Sequence, residues 1–95
     1  MLTVISKLTA RPDQITELRK VLEKMVSLTL DEEGCQAYDL YESSEEKNIF
    51  FFHEKWDSRE FLDKHLASKH IADFLTQSPK LLLKPVEIYL LNRVV

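Results

Sequence analysis

The chain has 95 residues, of which 44% are hydrophobic and 31% charged, and its formal net charge at pH 7 is −3. This length suits a single domain over residues 1–95, and the acidic balance predicts no nucleic-acid partner and no binding to anionic membranes. A single glycine excludes phosphate-binding glycine loops, and a single cysteine excludes an internal disulfide. No apolar run is long enough for a membrane span, and no charged leader is visible. We therefore expect a cytoplasmic protein.

The first part of the chain predicts a strand followed by an amphipathic helix. Residues 2–10 alternate as in a strand, and Pro12 breaks the extended run. From residue 14 to residue 30 the apolar side chains recur at helical spacing, with lysines on the opposite face. Gly34 follows where the end of a helix commonly needs a left-handed residue.

The remaining elements are two strands, an interrupted helix and a last strand. Residues 36–42 and 49–56 predict strands that a polar turn joins into a hairpin. A second helix is predicted to start with Asp57 as its cap and Glu60 three residues later, to falter near Ser68 and then to resume. Pro79 and Pro85 bracket a short apolar turn, and residues 86–91 predict the fourth strand.

The order βαββαβ predicts a ferredoxin-like α+β fold, in which both helices lie on one face of an antiparallel four-stranded sheet. The third and fourth strands are apolar on both faces, whereas two helices can cover only one. The uncovered face would measure roughly 400 Å², close to the limit that is usual for monomers. We therefore expect a homodimer that packs sheet against sheet.

Several motifs resemble the antibiotic biosynthesis monooxygenase family. They are the E-x-W of residues 54–56, a following helix with His65, a second histidine at His70, the residues 32–34 and the nearby Tyr38. The resemblance implies a dimeric ferredoxin-like α/β barrel. Its characterised members include cofactor-free oxygenases of quinols and polyketide phenols, haem-degrading proteins and isomerases of small sugar-derived signals, so it constrains the fold more than the substrate.

The two histidines are the candidate catalytic residues. His65 lies on the apolar face of its helix, either as a buried structural histidine or as the general base that takes a phenol proton. On a continuous helix His70 would be rotated by about 140° from His65, so only a break near Ser68 would bring the rings together; otherwise His70 caps the next turn. We expect no metal site, because the histidines lack i,i+4 spacing and no nearby motif supplies a third ligand.

The third strand contributes Glu54, the carboxylate that is the candidate partner of His65. Alternation places Glu54 on the same face as Trp56. If that face meets the helices, Glu54 would orient His65 or raise its basicity. The alternative is an ion pair with Arg59.

Aromatic residues are the candidates for substrate binding. Trp56 and Phe52 would line a cavity beneath the helices and pack against a flat ring, although large aromatics at such positions are usually core. Tyr38 is the tyrosine expected to point its hydroxyl into that cavity, and Phe61 clusters around it. The same cluster would also serve in any small core.

Three functions follow as hypotheses. The first is a cofactor-free oxygenase or oxidase that acts with O₂ on a small phenol or quinol in a dry apolar pocket. The second is a non-oxidative isomerase or carbon–carbon bond-cleaving enzyme on a small metabolite, and the third is a non-catalytic dimer that binds a small molecule or haem. The chain has Ser6 or Lys7 where haem-degrading relatives have an asparagine, which counts against haem degradation.

Overall fold

The computed structural model describes all 95 residues. Its elements in chain order are β1 Leu2–Thr9, α1 Ile15–Leu30, β2 Cys35–Glu42, β3 Ile49–Trp56, α2 Arg59–Leu66, α3 Lys69–Leu81 and β4 Glu87–Leu91. This is the predicted ferredoxin-like α+β order, with the second helix divided into α2 and α3. No helix is both long enough and apolar enough to cross a membrane.

The four strands form one antiparallel sheet in the order β2-β3-β1-β4. The central pair aligns Val4 with Glu54 and Ser6 with Phe52, so residues of one parity share the face toward the helices. The alternation predicted for β3 is confirmed, because Phe52, Glu54 and Trp56 are all buried there. The burial of apolar side chains from this face is the main force that holds the helices on the sheet.

The core lies between this face of the sheet and the helices. A single cluster of buried hydrophobic residues joins the strands to Leu18 and Leu22 of α1, Leu62 of α2 and Phe74 of α3. The buried positions of α1 recur at three- and four-residue spacing, as the sequence predicts.

The second helix is interrupted where the sequence predicts. α2 ends at Leu66, and Ser68 becomes the N-cap of α3, where its hydroxyl accepts a hydrogen bond from the backbone N–H of Ile71. Ser58, and not Asp57 as predicted, is the N-cap of α2, because Ser58 is the extended residue immediately before the first helical turn.

The short apolar turn predicted between Pro79 and Pro85 begins later than predicted, because the helix runs on to Leu81. Pro79 lies inside α3, where a proline leaves the carbonyl four residues earlier without its usual N–H partner. The Ser78 hydroxyl donates to that carbonyl, the one of Leu75, at 3.1 Å. The carbonyl of Pro79 itself accepts two hydrogen bonds from the Arg11 guanidinium, at 3.1 and 3.0 Å. These bonds allow α3 to continue to Leu81.

Gly34 has the left-handed backbone conformation that the sequence predicts, with φ of 82°. The ring of Phe61 packs directly on it, so that a Cβ at residue 34 would overlap this ring. Phe61 is thereby held at the junction of α2 with the segment that leads from α1 into β2.

The other face of the sheet has no helix over it. On this face the register aligns Tyr89 with Ile5 and Tyr41 with Phe51, and it also places His53 beside Ile5 and Lys7 beside Phe51. Tyr41 and Tyr89 are 56% and 51% exposed, whereas Ile5 and Phe51 are half-buried. We call Ile5, Tyr41, Phe51 and Tyr89 the open face; the apolar character that the sequence predicts is confirmed only in part, because Lys7 and His53 lie among these residues.

Candidate active site

The carboxylate of Glu32 lies between the two histidines. Its Oε2 atom is 2.6 Å from Nδ1 of His65 and 3.0 Å from Nε2 of His70. A carboxylate only accepts hydrogen bonds, so both nitrogens donate to it. In the neutral rings, Nε2 of His65 and Nδ1 of His70 therefore keep the free lone pairs. We call Glu32, His65 and His70 the triad.

Three chain segments build the triad. Glu32 follows the last turn of α1, where its backbone N–H donates to the carbonyl of Thr29 at 2.9 Å. His65 lies in the last turn of α2 and His70 in the first turn of α3, so the interruption at Ser68 brings the two rings to a centroid distance of 5.7 Å. The break near Ser68 that the sequence analysis requires for a site shared by the two histidines is therefore present.

Two hydroxyl groups complete the surroundings of His70. Oγ1 of Thr29 lies 3.3 Å and Oγ of Ser68 lies 3.4 Å from its Nε2 atom. Thr29 is fully buried and Ser68 is the cap of α3, so both oxygens are held by the backbone of their own elements. Both hydroxyls therefore lie beside the ring nitrogen that faces Glu32.

Burial sets the charge of His65. The residue is 2% exposed, and loss of hydration lowers its pKa from the ordinary value, while the hydrogen bond and the negative charge of Glu32 oppose this shift. A histidine with a lowered pKa is neutral at pH 7 and keeps a lone pair that can accept a proton.

The rings of His65 and Trp56 contact each other. Their centroids are 4.8 Å apart with an interplanar angle of 33°, and Trp56 is fully buried. Tyr38 meets His65 edge-on at 5.5 Å and lies 4.5 Å from Phe52. The indole and the imidazole therefore pack against each other, with no space for a substrate ring between them.

Glu54 does not contact His65, which corrects the first prediction for this residue. Its two oxygens accept hydrogen bonds from the indole N–H of Trp56 at 2.9 Å and from the Ser6 hydroxyl at 3.2 Å. Burial raises the pKa of Glu54, and the two hydrogen bonds oppose the shift. The alternative of an ion pair with Arg59 is also wrong, because Arg59 binds Asp63 one helical turn away.

A groove between α1 and α3 leads to the triad. Its volume is about 270 Å³, and its apolar lining consists of Val21, Met25, Leu28 and Phe74. His70 is the member of the triad that lines it, and Lys24, Asp73 and Gln77 supply its polar edge. Trp56, Phe52, Tyr38 and Phe61 do not line this groove, and their role in substrate binding stays a prediction.

Glu32 has no role in any of the sequence-based hypotheses, although residues 32–34 are among those that carry the family resemblance. The expectation that no third metal ligand lies near the histidines is also wrong, because the carboxylate of Glu32 supplies one donor atom. Spacing along the chain could not show this contact, because the hairpin of β2 and β3 separates Glu32 from His65 in the sequence.

Known proteins resemble this chain over nearly its whole length. Residues 1–77 match the family described as antibiotic biosynthesis monooxygenase. A Mycobacterium tuberculosis protein named "Putative monooxygenase Rv0793" is 39% identical over 88 residues, which are 93% of this chain and 86% of that protein. The Synechocystis protein sll1783, which is named as uncharacterized, is 33% identical over 87 residues, and the match covers 92% of this chain and 59% of that protein.

Solved structures share the fold. The structure of Rv0793 superposes with a TM-score of 0.91 at 35% identity, covering 99% of this chain and 95% of that chain. The structure of PA3566 from Pseudomonas aeruginosa gives a TM-score of 0.93 at 30% identity, covering 99% of this chain and 94% of that chain.

Proposed function

Because the chain belongs to the antibiotic biosynthesis monooxygenase family, we propose that it is a cofactor-independent oxygenase or oxidase of a small phenol or quinol, with O₂ as the second substrate. The observation that carries the proposal is the position of His70, which joins the part-buried Glu32–His65 pair to a groove with apolar side chains. An acid–base group at the edge of an apolar pocket is the arrangement that proton removal from a phenol needs.

The groove suits a small ring. Ligand pockets usually measure about 300–1,000 Å³, so a volume of about 270 Å³ favours a single-ring substrate over a polycyclic one. Met25 and Phe74 offer apolar contacts to the faces of such a ring, while Lys24 and Asp73 at the edge can hydrogen-bond to its second oxygen.

His70 removes the phenolic proton. Its Nδ1 atom has the free lone pair, and Glu32 holds the opposite side of the ring and stabilises the positive charge that develops. His65 was the base in the first hypothesis, but it is almost fully buried, so we assign direct proton transfer to His70. His65 then supports the reaction through the shared oxygen of Glu32.

The reaction needs no external reductant. The phenolate gives one electron to O₂, and the resulting superoxide and substrate radical join in a new carbon–oxygen bond at a ring carbon that carries a hydrogen. The imidazolium of His70 returns its proton to the peroxide. Loss of water from this hydroperoxide breaks the carbon–hydrogen and oxygen–oxygen bonds and leaves a carbonyl group. The substrate supplies all four electrons, with one oxygen atom entering the product and the other leaving as water. The four apolar side chains of the groove would reduce contact between the radical pair and solvent.

We also propose that two copies of the chain pair through their open faces. Exposed aromatic side chains on an uncovered sheet face are common at the interfaces of symmetric dimers. Pairing would cover the exposed rings of Tyr41 and Tyr89 and would leave the groove between α1 and α3 accessible on each copy.

Oxygen uptake tests the proposed activity. Purified protein with a panel of hydroquinones should consume O₂ faster than the protein-free solution, and His70→Asn should lower the enzymatic rate by a factor of roughly 100 or more. His53→Gln is the matched control, because His53 lies on the opposite side of the sheet. No uptake above the protein-free rate, or equal uptake by His70→Asn, would refute the proposal. Turnover that persists under nitrogen would favour the non-oxidative alternative.

A further inference from the structure

We propose that Glu32, His65 and His70 form a binding site for one divalent transition-metal ion of the Zn²⁺ and Co²⁺ class. The observation behind this inference is the convergence of two imidazole nitrogens and a carboxylate oxygen from three separate segments. It goes beyond the proposed oxygenase function and does not depend on it, because metal binding is measured without substrate.

The donor atoms are already near one another, although not yet at the spacing of an occupied site. The three atoms all lie within 4.8 Å of one another, and Oε2 of Glu32 is 2.6 and 3.0 Å from the two nitrogens. A tetrahedral ion with its ligands at about 2.0–2.2 Å keeps the ligand atoms roughly 3.4 Å apart. Metal binding therefore requires Oε2 to move away from both nitrogens and the two rings to turn toward the ion, by shifts on the order of 1 Å.

The chemistry of the donors selects the class of metal. Two imidazoles and one carboxylate suit Zn²⁺, Co²⁺ and Ni²⁺, whereas Mg²⁺ and Ca²⁺ prefer oxygen ligands. Three protein ligands leave at least one position for water. The hydroxyls of Thr29 and Ser68, near Nε2 of His70, are available to hydrogen-bond to that water or to the ligands.

Charge and access also favour an ion here. The carboxylate of Glu32 offsets part of the metal charge. To bind the metal, Nδ1 of His65 and Nε2 of His70 must give up the protons that they share with Glu32. Each proton can move to the other nitrogen of the same ring, so both imidazoles stay neutral. The side chains of His70 and Glu32 are 18% and 19% exposed, so an ion can reach the triad from solvent. The base proposed for the oxygenase would be occupied while the metal is bound.

Cobalt spectroscopy tests the site. Tag-free protein is freed of metals with a chelator and titrated with Co²⁺ alone, and then Zn²⁺ is added in competition. We expect saturable visible absorption at one equivalent of Co²⁺ and its loss on addition of Zn²⁺. Glu32→Gln and His70→Asn should each weaken binding by a factor of roughly 100 or more. Glu33→Gln, beside Glu32 but exposed, and His53→Gln should bind within about twofold of the original protein.

Two results would overturn the inference. The first is the absence of saturable binding by the original protein. The second is a loss of affinity in the control variants that equals the loss in Glu32→Gln and His70→Asn. Circular dichroism checks that each variant is folded. If Glu32→Gln does not fold, His70→Asn decides the question, because His70 lies at the groove and is less buried than His65.

Discussion

At the scale of single residues, the charge of His65 results from two opposing effects. Burial disfavours the imidazolium, and the adjacent Glu32 favours it. Burial is the larger effect, so the folded protein holds this histidine in its neutral form at a pH where an exposed histidine would begin to protonate. A neutral ring that donates to a carboxylate has a fixed tautomer, which a catalytic base also requires.

We predict that Glu32→Gln lowers the pKa of His65 further, because the variant loses the charge that favours the imidazolium. Imidazole chemical shifts, followed by NMR during a pH titration, measure this pKa. In the original protein the folded-state pKa of His65 lies below the unfolded value of about 6.5. Between these two pKa values the unfolded chain binds more protons than the folded chain. The free energy of unfolding therefore decreases as the pH falls from about 6.5 to the lowered pKa. An unchanged or raised His65 pKa in the variant would contradict the assignment of Glu32.

At the scale of elements, the interruption between α2 and α3 determines whether there is a site at all. His65 and His70 would point in different directions on one continuous helix, and the extended backbone of Ser68 changes the direction of the chain between them. The hydroxyl of Ser68 has two neighbours, the N–H of Ile71 and Nε2 of His70. The start of α3 and the orientation of its histidine are thus coupled through one side chain.

The two serine caps give a matched comparison. We predict that Ser68→Ala lowers the free energy of unfolding by about 1 kcal/mol, because it removes a cap that accepts a backbone hydrogen bond. Ser58→Ala should cost less than about 0.5 kcal/mol, because Ser58 makes no side-chain cap bond. Urea denaturation of both variants measures the difference. Equal losses would show that the hydroxyl of Ser68 does not stabilise the start of α3.

The sequence was sufficient for most of the fold, because alternation in β3 and helical spacing in α1 are local patterns. It was also sufficient to locate the interruption near Ser68. It was not sufficient for the partners of His65 and Glu54, which depend on how α1 and the sheet pack in three dimensions. The continuation of α3 through Pro79 was also missed, because it depends on hydrogen bonds to Ser78 and Arg11.

At the scale of the whole molecule, the helices leave one side of the sheet bare. Helices on one face bury the core and hold the triad, while the open face offers Tyr41, Phe51 and Tyr89 to another surface. The groove and the open face lie on opposite sides of the sheet, so pairing of two chains and binding of a small molecule do not compete for the same surface.

We predict that sedimentation velocity gives twice the chain mass of 11.2 kDa for the original protein and the single chain mass for Phe51→Lys. A lysine in the centre of a buried apolar interface would leave a charge without a partner, which costs several kcal/mol. Leu66→Lys, on the exposed side of α2, is the control and should keep the dimer mass. A single-chain mass for the original protein would refute the proposed pairing.

The proposed function requires Glu32 to act through His70 on a phenol in the groove between α1 and α3. Hydroquinone-dependent oxygen uptake by Glu32→Gln, compared with that of its exposed neighbour Glu33→Gln, tests this requirement. We predict that Glu32→Gln lowers the enzymatic rate at least about tenfold, since the developing imidazolium loses its counter-charge. Glu33→Gln should match the original protein. Equal rates for the two variants would show that Glu32 does not act on the reaction.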